Sequence, residues 1–186
     1  MVRVSAGEFK GTVLATPPQI RATSTKVRLA LFNILADVIP GARALDGFAG
    51  SGALGIEALS RGAAFVAFVE SDTDGVMAIR QNLERLGGAV SRDAWRLLHM
   101  DMERAVPALS RMEAPFDVIL LDPPYRTDDG RKALNDLVQY AILARAGLVV
   151  IEHDQRTVLP TAIGPLQQWT RHRYGDTVLS FYRGAA

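Results

Sequence analysis

Apolar positions along the chain fall into two periods. Val27, Ala30, Leu31, Ile34, Leu35 and Val38 recur at i, i+3, i+4 and i+7, which predicts an amphipathic helix opened by N-cap oxygens in Thr23-Ser24-Thr25 and closed at Pro40-Gly41. Lys26 and Arg28 are expected off that stripe, toward solvent. Val76, Ile79, Leu83 and Leu86 predict a second helix over 72–86, stopped at Gly87-Gly88. Elsewhere the runs are short and continuous. Phe65 to Glu70, Phe116 to Leu121 and Gly147 to Glu152 read as strands buried on both faces, and Trp95 to His99 as a further strand. Helices are expected over 52–61, 102–109 and 130–143. Residues 2–15 read as a hairpin, and Trp169 to Arg183 as two strands turning near Tyr174-Gly175-Asp176-Thr177.

Strand and helix alternate through most of the chain, which predicts an α/β fold: a mostly parallel sheet with right-handed crossovers and helices on both faces. The expected division is a basic N-terminal hairpin and arm over 1–22, followed by one domain over 23–186. Ligands of such sheets bind at the carboxyl ends of the strands. Asp46, Glu70, Asp101 and Asp122 all fall at predicted carboxyl ends.

Composition narrows the chemistry. A formal net charge of +1 makes no case for a polyanion partner from the whole molecule. The absence of Cys excludes disulfides, thiolate metal sites and thiol nucleophiles. His99, His153 and His172 are scattered without ligand spacing, so no metal is expected. No signal pattern and no membrane-length apolar run is present, which leads to the expectation of a cytoplasmic protein; a monomer is the default. Charge is uneven at the start, where Arg3, Lys10, Arg21, Lys26 and Arg28 face a single acid, Glu8. That run is either a solvated basic face or an arm that touches phosphates.

Two stretches carry candidate chemistry. In Leu45-Asp46-Gly47-Phe48-Ala49-Gly50-Ser51-Gly52-Ala53-Leu54-Gly55, a strand ends in an acid, turns on glycines and enters a helix whose N–H groups face a ligand. Gly50-x-Gly52-x-x-Gly55 matches a dinucleotide fingerprint, a weak signal alone. Asp46 would repel a pyrophosphate, whereas it would attract S-adenosylmethionine, which carries an ammonium and a sulfonium. The acid-then-glycine order resembles motif I of class I methyltransferases. Glu70, 24 residues after Asp46, stands where a nucleotide-binding unit places an acid on ribose hydroxyls. Asp101 is either an acceptor for an adenine amine or a helix N-cap, and Met102 is placed to pack on the ring. In the second stretch, Asp122-Pro123-Pro124-Tyr125 follows a buried strand. The prolines stiffen the turn and donate no hydrogen bonds. The Asp122 side chain and Pro123 carbonyl then form two acceptors beside the flat Tyr125 ring. This suits a planar group with an –NH₂ substituent, whose nitrogen is aimed at an electrophilic methyl by positioning and electrostatics. It resembles motif IV of amino-group methyltransferases.

Taken together, the chain resembles the RsmD family, bacterial small-subunit (16S) rRNA guanine-N2 methyltransferases. The resemblance is carried by Arg21 to Arg28, Leu31-Phe32-Asn33-Ile34-Leu35, Leu45 to Ala63, Val69-Glu70, Asp122 to Tyr125 and Tyr174 to Thr177. It implies a seven-stranded Rossmann-like methyltransferase sheet whose last hairpin includes the one antiparallel strand. By the resemblance, Asp46, Phe48, Gly50 and Gly52 line the methionine part of S-adenosylmethionine and Glu70 holds the ribose. Asp101 and Met102 meet the adenine, Asp122 with Tyr125 receives the guanine, and the basic arm touches ribosomal RNA. Ala22, Thr25 and Leu29 depart from the family's usual Pro, Asp and Glu, which bears on substrate more than on cofactor. The alternatives are a protein-glutamine N5 methyltransferase, since the same turn serves an amide nitrogen, and a non-catalytic RNA- or cofactor-binding module.

Overall fold

The structure, a computed structural model, describes residues 2–19, 23–125 and 127–184. Its scaffold is one sheet. Five parallel strands are β3 (Arg43–Gly47), β4 (Phe65–Glu70), β5 (Trp95–His99), β6 (Phe116–Leu121) and β7 (Leu143–Asp154). Three more, β8 (Ala162–Ile163), β9 (Leu166–Tyr174) and β10 (Thr177–Gly184), pair antiparallel, giving the order β5-β4-β3-β6-β7-β10-β9-β8. Two short strands, β1 (Val2–Arg3) and β2 (Val13–Leu14), form the expected N-terminal hairpin.

Alternation along the strands divides the core. Ala44, Val66, Phe68, Val118, Leu120, Val150, Leu179 and Phe181 face one side, with helices α1 (Thr25–Ile34), α2 (Ala53–Ser60) and α3 (Thr73–Arg85) and with Val4 and Leu14 around the hairpin. Leu45, Ala67, Val69, Ile119, Leu121, Val149 and Ile151 face the other, against α4 (Met102–Met112) and α5 (Asp129–Gln139). Strands covered on both faces read as unbroken apolar runs, which is why β4 and β6 stand out in the sequence.

The structure differs from the sequence expectation at four places, the first being the helix expected over 130–143, which stops at Gln139 and gives way to β7 from Leu143. The stripe through Val38 is only partly helix: α1 ends at Ile34, and Val38 and Ile39 turn back through hydrogen bonds to the Leu35 carbonyl. Arg28 is not on the solvent side of α1; it is fully buried. The sheet holds eight strands rather than seven, and both β8 and β10 run against the parallel set. Two residues of β8 beside Pro160 and Gly164 are too short to show a period. Among the described residues no helix is long and apolar enough to cross a membrane.

Candidate active site

The turn from β3 into α2 builds the first wall. Asp46, on the central strand, is 1% exposed, and its Oδ2 accepts the Gly55 N–H of α2 at 2.7 Å. Burial holds this carboxyl well above the usual carboxylate range; the Gly55 hydrogen bond opposes the rise, and the charges of Asp122 and Glu70 add to it. Phe48, at φ 60°, stands in the left-handed region, a conformation that costs a non-glycine residue about 1–3 kcal/mol and recurs where a binding site dictates the backbone. Gly52 is the N-cap of α2 at φ 76°. Its place there is conformational, because Gly52 does not line the cavity while Asp46, Phe48 and Gly50 do.

Glu70 ends β4 and is nearly buried. Each of its carboxylate oxygens takes one backbone donor, Gly50 N–H at 2.6 Å and Asp72 N–H at 2.7 Å. One acid thus holds together the loop after β3 and the loop after β4. Asp101, after β5, caps α4 by accepting the Arg104 N–H at 2.8 Å and also lines the cavity. Met102 is buried in the same wall.

The Pro-Pro turn closes the opposite side. Asp122 N–H donates to the Gly47 carbonyl at 3.3 Å, which seats the turn on the end of β3. Its Oδ2 accepts the hydroxyl of Thr23 at 2.7 Å. The Tyr125 hydroxyl donates to Glu152 Oε1 at 2.9 Å and lies 3.1 Å from Thr177 Oγ1. Asp46, Phe48, Gly50, Glu70, Asp101, Met102, Asp122, Pro123 and Tyr125 therefore meet around one cavity of about 620 Å³, within the size range of small-molecule sites. Sequence reasoning missed Thr23 and Thr177 as partners of this turn. Thr23 sits among three consecutive hydroxyls of which Ser24 is the one that caps α1, so the spare hydroxyls were the available signal.

The basic residues do not act as one group. Arg3, Lys10 and Lys26 are exposed. Arg21 lies outside the described residues. Arg28, expected on RNA, has no route to a phosphate: it is enclosed beside α2, where its Nε stands 3.5 Å from Glu57 Oε2 and its Nη2 donates to the Arg3 carbonyl. Burial pulls its pKa down while the Glu57 charge opposes that fall. Among the described residues no group of His, Cys, Asp and Glu is arranged for a metal ion.

Comparison with known proteins bears on the family and the fold. The family described as "Conserved hypothetical protein 95" matches residues 2–183. Ribosomal RNA small subunit methyltransferase D of Escherichia coli (strain K12) is 34% identical over 174 residues, covering 92% of this chain and 83% of its own. The chain belongs to the RsmD family. YlbH of Bacillus subtilis (strain 168), named provisionally as an rRNA methyltransferase, is 36% identical over 184 residues, 98% of each chain. Among solved structures, yhhF of Escherichia coli, provisionally described as a methyltransferase, superposes with a TM-score of 0.85 at 32% identity, covering 100% of this chain and 98% of the other.

The residues present fit S-adenosylmethionine, the cofactor that the family resemblance implies. A buried acid suits a cationic amino-acid moiety, a second acid at the next strand end can accept ribose hydroxyls, and the Met102 side chain offers an apolar face for a ring.

Proposed function

We propose that this chain transfers a methyl group from S-adenosylmethionine to the exocyclic N2 amine of a guanine in small-subunit ribosomal RNA, acting on the subunit or its precursor. The observation that carries the reading is the placement of Asp122 and Tyr125 in the same cavity as Asp46 and Glu70. The names of the RsmD relatives support RNA as substrate.

When bound, S-adenosylmethionine supplies an electrophilic methyl group. The chain's part is to hold the acceptor. Asp122 accepts one N–H of the amine, the Pro123 carbonyl offers the second acceptor, and the Tyr125 ring stacks on the base. Holding both protons concentrates the nitrogen lone pair and aims it, which is catalysis by orientation and preorganised charge. The nitrogen must shed a proton as it gains the methyl, and Asp122 is the group in position to take it. Arg3, Lys10 and Lys26 are exposed and supply positive charge for RNA phosphates.

The test is methyl transfer from labelled cofactor to small subunits from cells lacking the gene, beside naked rRNA and total protein. The expected result is label in N2-methylguanine of the rRNA. Asp122→Ala should abolish transfer while leaving cofactor affinity within a few-fold. Label confined to glutamine in protein would favour the amide reading, and turnover by Asp122→Ala would refute the role of the turn.

A further inference from the structure

The hydrogen bond between Thr23 and Asp122 spans 99 residues of sequence and serves neither helix capping nor core packing. Thr23 is 6% exposed, lines the main cavity and points its hydroxyl at the acid assigned to the target amine. An aspartate's terminal torsion is broad and roughly two-fold, so the plane of a half-buried carboxylate is defined by the groups that bond to it. Thr23 is itself held. Ser24, beside it, accepts the Val27 N–H through its side chain at 3.3 Å and the Arg28 N–H through its carbonyl at 2.9 Å. The Arg28 side chain is in turn anchored on the Arg3 carbonyl and Glu57. Hairpin, helix start, hydroxyl and carboxylate thus form one continuous chain of contacts.

We propose that Thr23 is a positioning residue for methyl transfer, holding the Asp122 carboxylate in the plane in which it receives an N–H of the target amine. A carboxylate has about four lone-pair sites, so the bond from Thr23 leaves room for the substrate. The inference rests on the role given to Asp122 above. It also explains why the N-terminal segment is tied so firmly to α2: slack there would pass to the acceptor.

The experiment compares wild type, Thr23→Val, Thr23→Ser and Asp122→Ala on the same rRNA substrate, with cofactor Kd and Tm measured for each. Valine keeps the shape and removes the donor; serine keeps the donor. Thr23→Val should lower kcat on the order of tens-fold, as displaced catalytic groups do. KM for RNA and Kd for cofactor should stay within about two-fold, since ground-state binding is untouched. Serine should restore kcat to within about three-fold of wild type. Unchanged kcat in the valine variant, an effect confined to KM or Kd, or a serine variant as slow as valine would each overturn the proposal. An inactive Asp122→Ala beside a fully active Thr23→Val sinks this inference alone; an active Asp122→Ala sinks the reading on which it rests. Thr23→Ala replaces the valine variant if that chain does not fold.

Discussion

A carboxyl sealed from water prefers to keep its proton, and Asp46 is sealed at 1% exposure on the central strand. A cationic ligand reverses that preference, so cofactor binding and proton release are linked. Because the pKa is raised in the folded, empty protein, that form holds more protons than the unfolded chain, and stability falls as pH rises through the window above the ordinary aspartate value. Affinity for S-adenosylmethionine should run the other way, tightening as pH rises through the same window. Calorimetric titration in buffers of different ionisation heat should show proton release. Asp46→Asn should weaken binding and flatten both dependences, while Glu70 and Asp122, whose charges bear on Asp46, remain in place; a wild-type affinity indifferent to pH would remove Asp46 from this role. Individual side chains were legible where an acid ended an apolar run, as at Asp46, Glu70 and Asp122. They were not legible where the partner was distant. Arg28 is polar by every local measure, and its burial is explained by its pairing with Glu57 of α2 and its bond to the Arg3 carbonyl, both distant in sequence.

At the level of elements, α2 shows how a glycine can be required inside a helix. Every residue of it is buried, and a Cβ on Gly55 would stand 2.2 Å from Phe68 Cε1 on β4. Alanine is the better helix former by about 1 kcal/mol, yet overpacking of this kind typically costs about 1–3 kcal/mol. Gly55→Ala should therefore lower the urea midpoint, and by loosening the Gly55 N–H from Asp46 it should also weaken cofactor binding. Gly88, after α3, has open space where a methyl group would stand, with nothing within 4 Å, so Gly88→Ala should leave stability within about 0.5 kcal/mol of wild type. A tolerated Gly55→Ala would mean that Phe68 can move aside. Buried strands and long amphipathic helices could be read because their period is fixed by geometry. Ends could not: Val38 and Ile39 continue the apolar pattern of α1 although the backbone has already left the helix, since burial in a turn rewards the same residues.

Across the whole molecule the hairpin and the sheet behave as one body. Glu57 accepts the N–H groups of Ser5 at 2.8 Å and Ala6 at 3.1 Å and the Ser5 hydroxyl at 2.5 Å, while Arg61 and Arg28 supply positive charge. Glu57→Ala strands Arg28 in the core, and removing one member of a buried ion pair costs about 3–5 kcal/mol. Chemical denaturation should show that loss in a single transition; a separate, early melting of the hairpin would mean that the arm is an independent unit. The overall α/β order was legible from alternation, but the order of strands was not, because no local pattern says which strand is inserted beside which. That order has a consequence for the chain during synthesis. β10 is the last of the described strands, yet it lies between β7 and β9 rather than at the margin of the sheet. Chains emerge amino end first, so β7 must wait with an open, apolar edge until β10 arrives to cover it, and such an edge is a template for aggregation. Thr177, which meets Tyr125 in the finished protein, arrives on the same strand. The nascent chain therefore covers its open sheet edge and completes the contacts of the Pro-Pro turn in the same late event.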